Sequence, residues 1–303
     1  MIEFRGVSKR YGALVALTDI SFTSHVGRVT GLVGPNAAGK STLLKLVVGF
    51  ARPTSGTVLV DGSPPTSQRE ISRRVGILMA NSGIPSQAPV SFYLRETARC
   101  VGADRRTLEE TVELFGLAPV LGQRFSKLSL GSQRRVMLAL AFLPSPSVLV
   151  LDEPLNGLDP NTARALTTLL REWADANNTC ILFASHVVSE LAHISDDLIV
   201  LGSGRILYEG TAAGLVAGNT ATRVRVALDD RLRLQSLLDV AGYVYQNSGE
   251  DLLLEHMPCA EISRLCTNNA LVIEHLSMEE QSLEEAYFEL TSAHTSLRSS
   301  AST

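Results

Sequence analysis

Short apolar runs alternate with helically spaced apolar positions over most of the first 215 residues. Continuous runs of this kind are typical of strands that are buried on both faces of a parallel sheet. Strands are predicted for residues 29–33, 75–79, 148–151, 180–184 and 198–201, and helices for 41–49 and 162–176. This alternation predicts an α/β fold with a mostly parallel core sheet.

Two parts of the first domain depart from this pattern. Residues 2–22 alternate short apolar runs with turn residues, so an antiparallel N-terminal β-subdomain is predicted there. Residues 56–62 are predicted as a further strand that ends in an Asp-Gly turn. From about residue 81 to 145, apolar positions such as Leu108 and Val112 follow helical spacing. We therefore predict a helical insert within a first domain of residues 1–215.

The pattern changes after a small-residue linker at 216–222. Residues 223–291 show strand and helix patterns in the order β-α-β-β-α-β, which predicts a small ferredoxin-like α+β domain closed by a helix over 283–291. The serine-rich tail, residues 292–303, is predicted to be disordered. This small domain has no evident ligand constellation, so a packing or dimer-bracing role is the first interpretation and a regulatory ligand site the second.

Composition and charge narrow the function classes. The chain has 303 residues, 45% of them apolar, which is enough for a sizeable core. A net charge of −4 gives no reason to expect nucleic acid, and the four cysteines form no CxxC pair, as in a reducing compartment. The first residues lack the apolar segment of a secretory signal, and the longest apolar run, 136–143, is far shorter than the roughly 20 residues that cross a bilayer. We therefore expect a cytoplasmic protein that needs another subunit for any activity across a membrane.

A glycine-rich segment between a predicted strand and a predicted helix carries the clearest chemistry. It reads GPNAAGKST and fits G-x-x-x-x-G-K-[ST], a loop whose backbone N–H groups surround a phosphate at a helix N-terminus. Lys40 adds positive charge toward the β- and γ-phosphates, and Ser41 offers a hydroxyl to Mg²⁺. The predicted nucleotide-binding residues are Gly34, Pro35, Asn36, Ala37, Ala38, Gly39, Lys40, Ser41 and Thr42. An ordinary glycine turn before a buried helix is the alternative.

Other candidate residues lie at the ends of predicted elements. Asp152 and Glu153 follow a buried-type apolar run, and we expect Asp152 to serve Mg²⁺ and Glu153 to polarise the attacking water. Ser129 and Gly131 precede an apolar helix, where they suit either a second anion site or an N-cap with a tight turn. Tyr11 is either a core residue or an exposed aromatic on which a nucleobase stacks.

Together these segments resemble the nucleotide-binding subunit of an ATP-binding cassette (ABC) transporter. GPNAAGKST is similar to the Walker A loop, VLVLDEP to the Walker B strand, and LSLGSQRR to the signature motif. Residues 156–159, which end in Asp159, resemble the D-loop, His186 resembles the switch histidine that contacts the γ-phosphate, and Tyr11 matches the base-stacking aromatic. In the signature motif the matching residues are Ser129, Leu130, Gly131 and Ser132. Residues 282–291 resemble the end of cassette ATPases from drug and antibiotic exporters.

The resemblance implies an ATPase that uses ATP and Mg²⁺, with Glu153 and His186 as its catalytic residues. In this family two cassettes pair head to tail, so the Walker A loop of one and the signature motif of the other enclose each ATP. One cassette per chain favours a homodimer over a heterodimer. The implied partner is a separate transmembrane permease that exports a drug-like, antibiotic or lipid-like substrate, which would hold the chain at the inner face of the cell membrane.

Three positions depart from the family pattern. Ala37 stands where the Walker A loop usually has glycine, and Leu130 replaces the first of two glycines in the signature turn. After the strand predicted at 75–79 the family places a glutamine that contacts Mg²⁺ and senses the membrane subunit, but this chain has Ala80. Asn81 is a substitute Mg²⁺ ligand if the loop shifts by one residue. We therefore expect slower ATP hydrolysis than in a typical cassette.

Two alternative functions share these motifs. One is a soluble cassette ATPase that takes no part in transport, although such relatives usually carry two cassettes or long basic or coiled-coil inserts. The other is a hydrolytically weak member of a heterodimeric cassette pair. Ala80 favours that alternative, whereas the retained Glu153 and His186 oppose it.

Overall fold

The computed structural model describes residues 1–66, 68–79, 87–216, 220–226, 230–255, 257–280 and 282–300. The chain divides into two compact units. The first covers Met1–Thr211, with the chain from Ala293 also assigned to it, and the second covers Ala212–Ser292. The first unit therefore ends before the predicted boundary at residue 215.

The strands of the first unit are β1 (Ile2–Tyr11), β2 (Leu14–Ser24), β3 (Val29–Val33), β4 (Ser55–Val60), β5 (Val75–Leu78), β6 (Val148–Asp152), β7 (Cys180–Ser185), β8 (Asp197–Gly202) and β9 (Arg205–Gly210). An antiparallel sheet has the order β2-β1-β4. The larger sheet has the order β5-β6-β7-β3-β8-β9. Its first five strands in this order run parallel, and β9 pairs antiparallel with β8. Both the parallel core sheet and the antiparallel β-subdomain match the prediction.

The helices of the first unit are α1 (Lys40–Val47), α2 (Gln68–Arg74), α3 (Val90–Val101), α4 (Arg105–Leu114), α5 (Leu130–Phe142), α6 (Pro160–Asn177) and α7 (Val188–Ala192). The predicted helical insert contains α3, α4 and α5, and two short 3-10 turns at Ala118–Val120 and Phe125–Lys127 lie between α4 and α5. Residues 80–86, at its start, lie outside the described residues.

The central strands position the functional loops. All residues of β3, β6 and β7 are buried, as their continuous apolar runs predict. One core joins the antiparallel sheet, α1 and these strands through side chains such as Phe4, Leu43 and Leu182. The core therefore fixes the strand ends from which the candidate site is built.

Strand β9 is an element that the sequence pattern did not predict. It follows a tight turn in which Ser203 and Gly204 have φ angles of 50° and 77°, and it pairs with β8 from Leu198↔Gly210 to Gly202↔Arg205. Its side chains are partly or fully exposed because it lies at the sheet edge, so it lacks a buried apolar run. The Ser-Gly pair between two apolar runs was the available hairpin signal.

The second unit has its own sheet and core. Its elements are α8 (Ala212–Val216), β10 (Thr220–Val226), α9 (Arg231–Ala241), β11 (Tyr245–Ser248), β12 (Asp251–Glu255), α10 (Cys259–Asn268), β13 (Ile273–Glu280) and the part of α11 (Leu283–Ser300) that precedes Ala293. The antiparallel sheet has the order β11-β12-β10-β13. Leu234 of α9 and Ile262 of α10 share a core with Val224 and Leu252 of the sheet. This arrangement confirms the predicted β-α-β-β-α-β order.

Two predictions at the edges of this unit are wrong. The linker predicted at 216–222 is replaced by α8, which ends at Val216, and by β10, which begins at Thr220. The tail predicted to be disordered from Ser292 is helical to Ser300, because this stretch contains no glycine or proline that would end α11. Residues 301–303 lie outside the described residues. None of the described helices combines the length and apolarity that a membrane span requires.

Candidate functional site

The loops that follow β3, β6 and β7 meet at one edge of the large sheet. Strand β7 pairs in parallel with both β3 and β6, so the carboxyl ends of these strands are neighbours. A cavity of about 460 Å³ opens at this edge. It is lined by Tyr11, Leu14, Val15, Ala16, residues 35–42, Asp152 and Glu153. The fold therefore brings together glycine-loop, acidic and aromatic candidates that are far apart in the sequence.

Lys40 is held against the backbone of its own loop. Its ammonium group donates hydrogen bonds to the carbonyl oxygens of Gly34 and, at 3.3 Å, of Pro35. Burial lowers the pKa of Lys40, while the carboxylates of Glu153 and Asp152 act in the opposite direction. The Lys40 amine is thus held in the cavity beside the phosphate-binding loop.

Close packing explains two glycines of this loop. A Cβ at Gly34 would lie 2.5 Å from the carbonyl oxygen of Leu201. A Cβ at Gly39, which has φ 109° at the start of α1, would lie 2.7 Å from Leu17 Cδ2. Ala37 also has a positive φ, 65°, in the left-handed region that favours glycine. Ala37, which stands where the family usually has glycine, therefore lies at a position where the backbone is strained.

The acidic pair at the end of β6 has two different environments. Asp152 is buried, with 5% of its surface exposed, and pairs with Ala184 in the parallel ladder. Glu153 donates its N–H to the carbonyl oxygen of Ala184 at 2.9 Å and has φ 52°. Its Oε2 lies 2.8 Å from Nδ1 of His186, and the Asn156 amide donates to the same oxygen at 3.4 Å. The structure thus joins Glu153 and His186 directly.

The signature and D-loop candidates cap helices in the single chain. Ser129 Oγ accepts from the N–H of Ser132 at 3.3 Å at the start of α5. Asp159 accepts from the N–H groups of Asn161 and Thr162, both at 3.1 Å, at the start of α6. The described cavity lining includes no residue of either motif. In one chain, Ser129 is therefore an N-cap, as the alternative interpretation expected.

Tyr11 lies at the mouth of the cavity rather than in the core, with 45% of its surface exposed. The Lys9 ammonium lies 4.7 Å from the centre of its ring and donates to the carbonyl oxygen of Arg52 at 2.8 Å. Sequence reasoning missed Lys9, although its position two residues before Tyr11 on β1 places both side chains on one face.

Asn156 and Arg134 were placed only within the D-loop and signature segments, and their proximity to the acidic pair was not predicted. Burial lowers the pKa of the Arg134 guanidinium, against the opposing effect of the Asp152 and Glu153 carboxylates. Both residues lie in segments that the motifs already marked, but the contacts with Asp152 and Glu153 depend on the tertiary structure. Ala80 and Asn81 lie outside the described residues.

Known proteins share this combination of fold and motifs. A family profile described as ABC transporter matches residues 17–156, and an AAA domain profile matches residues 121–192. The Nod factor export ATP-binding protein I of Burkholderia orbicola (strain AU 1054) is 36% identical to this chain over 71% of it and 72% of the relative. The chain belongs to the ABC transporter ATP-binding proteins. Two further relatives match this chain over nearly its whole length.

One is the uncharacterized ABC transporter ATP-binding protein YdbJ of Bacillus subtilis (strain 168), 29% identical over 97% of this chain and 96% of the relative. The other is the bacitracin transport ATP-binding protein BcrA of Enterococcus faecalis, 28% identical over 96% of each chain.

Solved structures agree with this assignment. An ATP-binding subunit of an ABC transporter has a TM-score of 0.67 and 26% identity, covering 72% of this chain and 92% of the other. A dimeric bacterial ABC transporter cassette has a TM-score of 0.64 and 20% identity over 70% of this chain and 98% of its own length, which shows the shared fold. The protein is thus an ABC-type ATP-binding subunit whose family couples ATP hydrolysis to transport.

Proposed function

We propose that this cassette is the ATPase of an exporter and that it drives a separate membrane permease for a drug-like, antibiotic or lipid-like substrate. The observation that carries the proposal is the direct contact of Glu153 with His186 at the edge of the nucleotide cavity. The relative named for bacitracin transport, which matches over 96% of this chain, supports an antibiotic-like substrate. The relative named for Nod factor export supports export as the direction.

Nucleotide binding uses groups that already line the cavity. The loop amides at residues 35–42 lie at the start of α1, where the helix dipole favours phosphate. Lys40 exchanges the carbonyl oxygens of Gly34 and Pro35 for phosphate oxygens, which its flexible side chain permits. Tyr11 offers an exposed ring for the base.

The cavity also has a donor set that suits Mg²⁺. Ser41 and the buried carboxylate of Asp152 both line it, and such hard oxygen ligands are those that Mg²⁺ prefers. When bound, the ion offsets the charge that develops on the phosphate oxygens. Ser41 and Asp152 are therefore the residues proposed to hold it.

Glu153 is proposed to polarise the attacking water and His186 to fix the carboxylate. A carboxylate can only accept, so the 2.8 Å contact requires the proton on His186 Nδ1 and leaves Nε2 for a second partner. The side chain of Glu153 is 14% exposed and that of His186 50% exposed, so water and the γ-phosphate can reach both. Catalysis then needs a second cassette to supply the signature turn, and we propose a homodimer.

Glu153→Gln tests the proposal. The variant keeps the hydrogen-bonding shape but cannot polarise water, so ATP hydrolysis should fall by at least about 100-fold. Its solution mass should change from monomer to dimer when ATP and Mg²⁺ are added, because the enclosed nucleotide is no longer hydrolysed. The control is Glu172→Gln, an exposed glutamate on α6, which should hydrolyse ATP at the normal rate.

An unchanged hydrolysis rate in Glu153→Gln would contradict the catalytic assignment. A variant that binds ATP but stays monomeric would contradict the homodimer and point to a different cassette or to the permease as the required partner. Recruitment to membranes only when a permease is co-expressed would support a peripheral location at the inner face of the membrane.

A further inference from the structure

Leu130 rests on Gly157, so the signature turn contacts the D-loop of the same chain. A Cβ added at Gly157 would overlap Leu130 Cδ2 and would lie 2.9 Å from Leu130 Cγ. A Cβ at Gly131 would lie 3.9 Å from both the carbonyl oxygen of Gly157 and Leu158 Cδ2. The leucine that replaces a glycine of the family motif is therefore accommodated by a glycine in the other loop.

Each of the two loops is tied to the start of a helix. Ser129 caps α5 and Asp159 caps α6, so both backbones are fixed on one side of the contact. Gly157 has φ 79°, a conformation that residues with a Cβ adopt at a cost. The position thus needs glycine for two reasons, its backbone angle and the leucine above it.

Most of the leucine remains uncovered in the single chain. Leu130 is 63% exposed, although it is a large apolar residue on a turn that the family resemblance places against the nucleotide of a second cassette. It lies outside the described lining of its own nucleotide cavity. Its contribution is therefore expected in the pairing of two chains rather than in nucleotide binding by one.

We propose that Leu130 is a positioning residue that holds the D-loop against the signature turn and so prepares both loops for a second copy of this chain. The inference rests on the homodimer of the proposed function. Loops that are ordered before association lose less conformational entropy when the dimer forms. Removing the Leu130 side chain should therefore weaken dimerisation and leave ATP binding to the monomer unchanged.

The coupling is tested by a double-mutant cycle in the Glu153→Gln background. Analytical ultracentrifugation with ATP and Mg²⁺ gives the dimer dissociation constant of Leu130→Gly, Gly157→Ala and the double variant. Leu130→Gly should raise this dissociation constant about tenfold, an effect of the size that is measured between residues in direct contact. Gly157→Ala should cost more when Leu130 is present than when it is absent, because only then does the new Cβ meet a side chain. Leu130→Met keeps an apolar chain over Gly157 and should restore dimerisation.

A second readout needs no dimer. The N–H groups of Asn156 and Leu158 donate to the carbonyl oxygens of Glu153 and Leu155, so their hydrogen exchange reports the order of the D-loop. In the monomer, Leu130→Gly should speed exchange in the D-loop several-fold and leave exchange in residues 35–42 unchanged. If the substitution instead destabilised the whole protein, hydrogen exchange would become faster in the D-loop and in residues 35–42 alike.

The outcomes distinguish a failure of the Leu130 inference from a failure of the proposed homodimer. A Leu130→Gly variant with unchanged D-loop exchange overturns the inference, and so does one that dimerises as tightly as its parent. If the Glu153→Gln parent stays monomeric with ATP, the homodimer is wrong, and the exchange measurement alone still decides whether Leu130 holds the D-loop. The inference is supported if Leu130→Gly speeds hydrogen exchange in the D-loop and if the effects of Leu130→Gly and Gly157→Ala on the dimer dissociation constant are not additive.

Discussion

Ala37 illustrates how one residue stores strain in the phosphate loop. Its φ of 65° lies in the left-handed region, where the Cβ of an ordinary residue crowds the following carbonyl oxygen at a cost of about 1–2 kcal/mol. The neighbouring Ala38 keeps a negative φ, is buried, and hydrogen-bonds through its N–H and carbonyl to Pro35 and Gly204. The loop is held by its neighbours rather than by the preference of Ala37.

Ala37→Gly should therefore stabilise the protein. Glycine removes the strain at φ 65°, and this gain outweighs the extra freedom of the unfolded chain, so the free energy of unfolding should rise by about 0.5–1 kcal/mol. Thermal and urea unfolding measure the change. Ala38→Gly is the matched control, and it should destabilise because glycine adds unfolded entropy there and relieves no strain. Equal effects of the two variants would contradict the strain at Ala37.

At the scale of elements, α6 depends on the carboxylate that precedes it. Asp159 accepts from the hydroxyl of Thr162 at 2.6 Å and from the N–H groups of Asn161 and Thr162. The hydrogen bond from the Thr162 side chain, followed by the backbone bonds, holds the pKa of Asp159 below its ordinary value of 3.8. The charged cap therefore stabilises the folded state when it is ionised.

This lowered pKa gives α6 a pH dependence with a defined sign. The contribution of Asp159 should be complete above its unfolded pKa, near 3.8, and should be lost as the pH falls through the lower folded pKa. Asp159→Asn is a cap of similar shape that does not titrate. The stability advantage of the wild-type chain over Asp159→Asn, measured by urea unfolding, should shrink from pH 6 to pH 3. A constant difference would show that the ionised carboxylate contributes nothing.

At the scale of the whole molecule, the chain has two separate cores. The first gathers side chains from β1, α1 and β7, and the second gathers side chains from β10, β12, α9 and α10. Strand β10 is central to the second unit, because it pairs with both β12 and β13. Each unit thus has the sheet and core that independent folding requires.

A fragment of residues 212–300 should fold alone with one cooperative thermal transition. Its stability should not exceed about 5 kcal/mol, because so small a unit buries limited apolar surface. Circular dichroism melts of the fragment provide the measurement. A fragment of residues 230–300 lacks β10 and should be unfolded. A non-cooperative melt of the longer fragment would show that its core depends on the rest of the chain.

Local patterns predicted much of the fold and part of the site. The buried strands β3, β6 and β7 follow from continuous apolar runs, and the phosphate loop from a motif whose glycines, lysine and serine act within a few residues. Strand β9 and the full length of α11 were not predicted. An edge strand has no buried run, and a serine-rich helix has no apolar stripe, so neither produces the signal on which such predictions depend.

The sequence by itself determined which groups could act, because a phosphate loop, a buried strand ending in acids and a helix cap are each encoded within a short segment. The tertiary structure decided which of them meet. Glu153 reaches His186 because β6 and β7 are parallel neighbours, and Lys9 lies over Tyr11 because β1 presents both on one face. Leu130 rests on Gly157 because the start of α5 meets the loop that precedes α6. Such contacts depend on strand order and helix packing, and these are fixed by burial summed over the whole chain rather than by any local pattern.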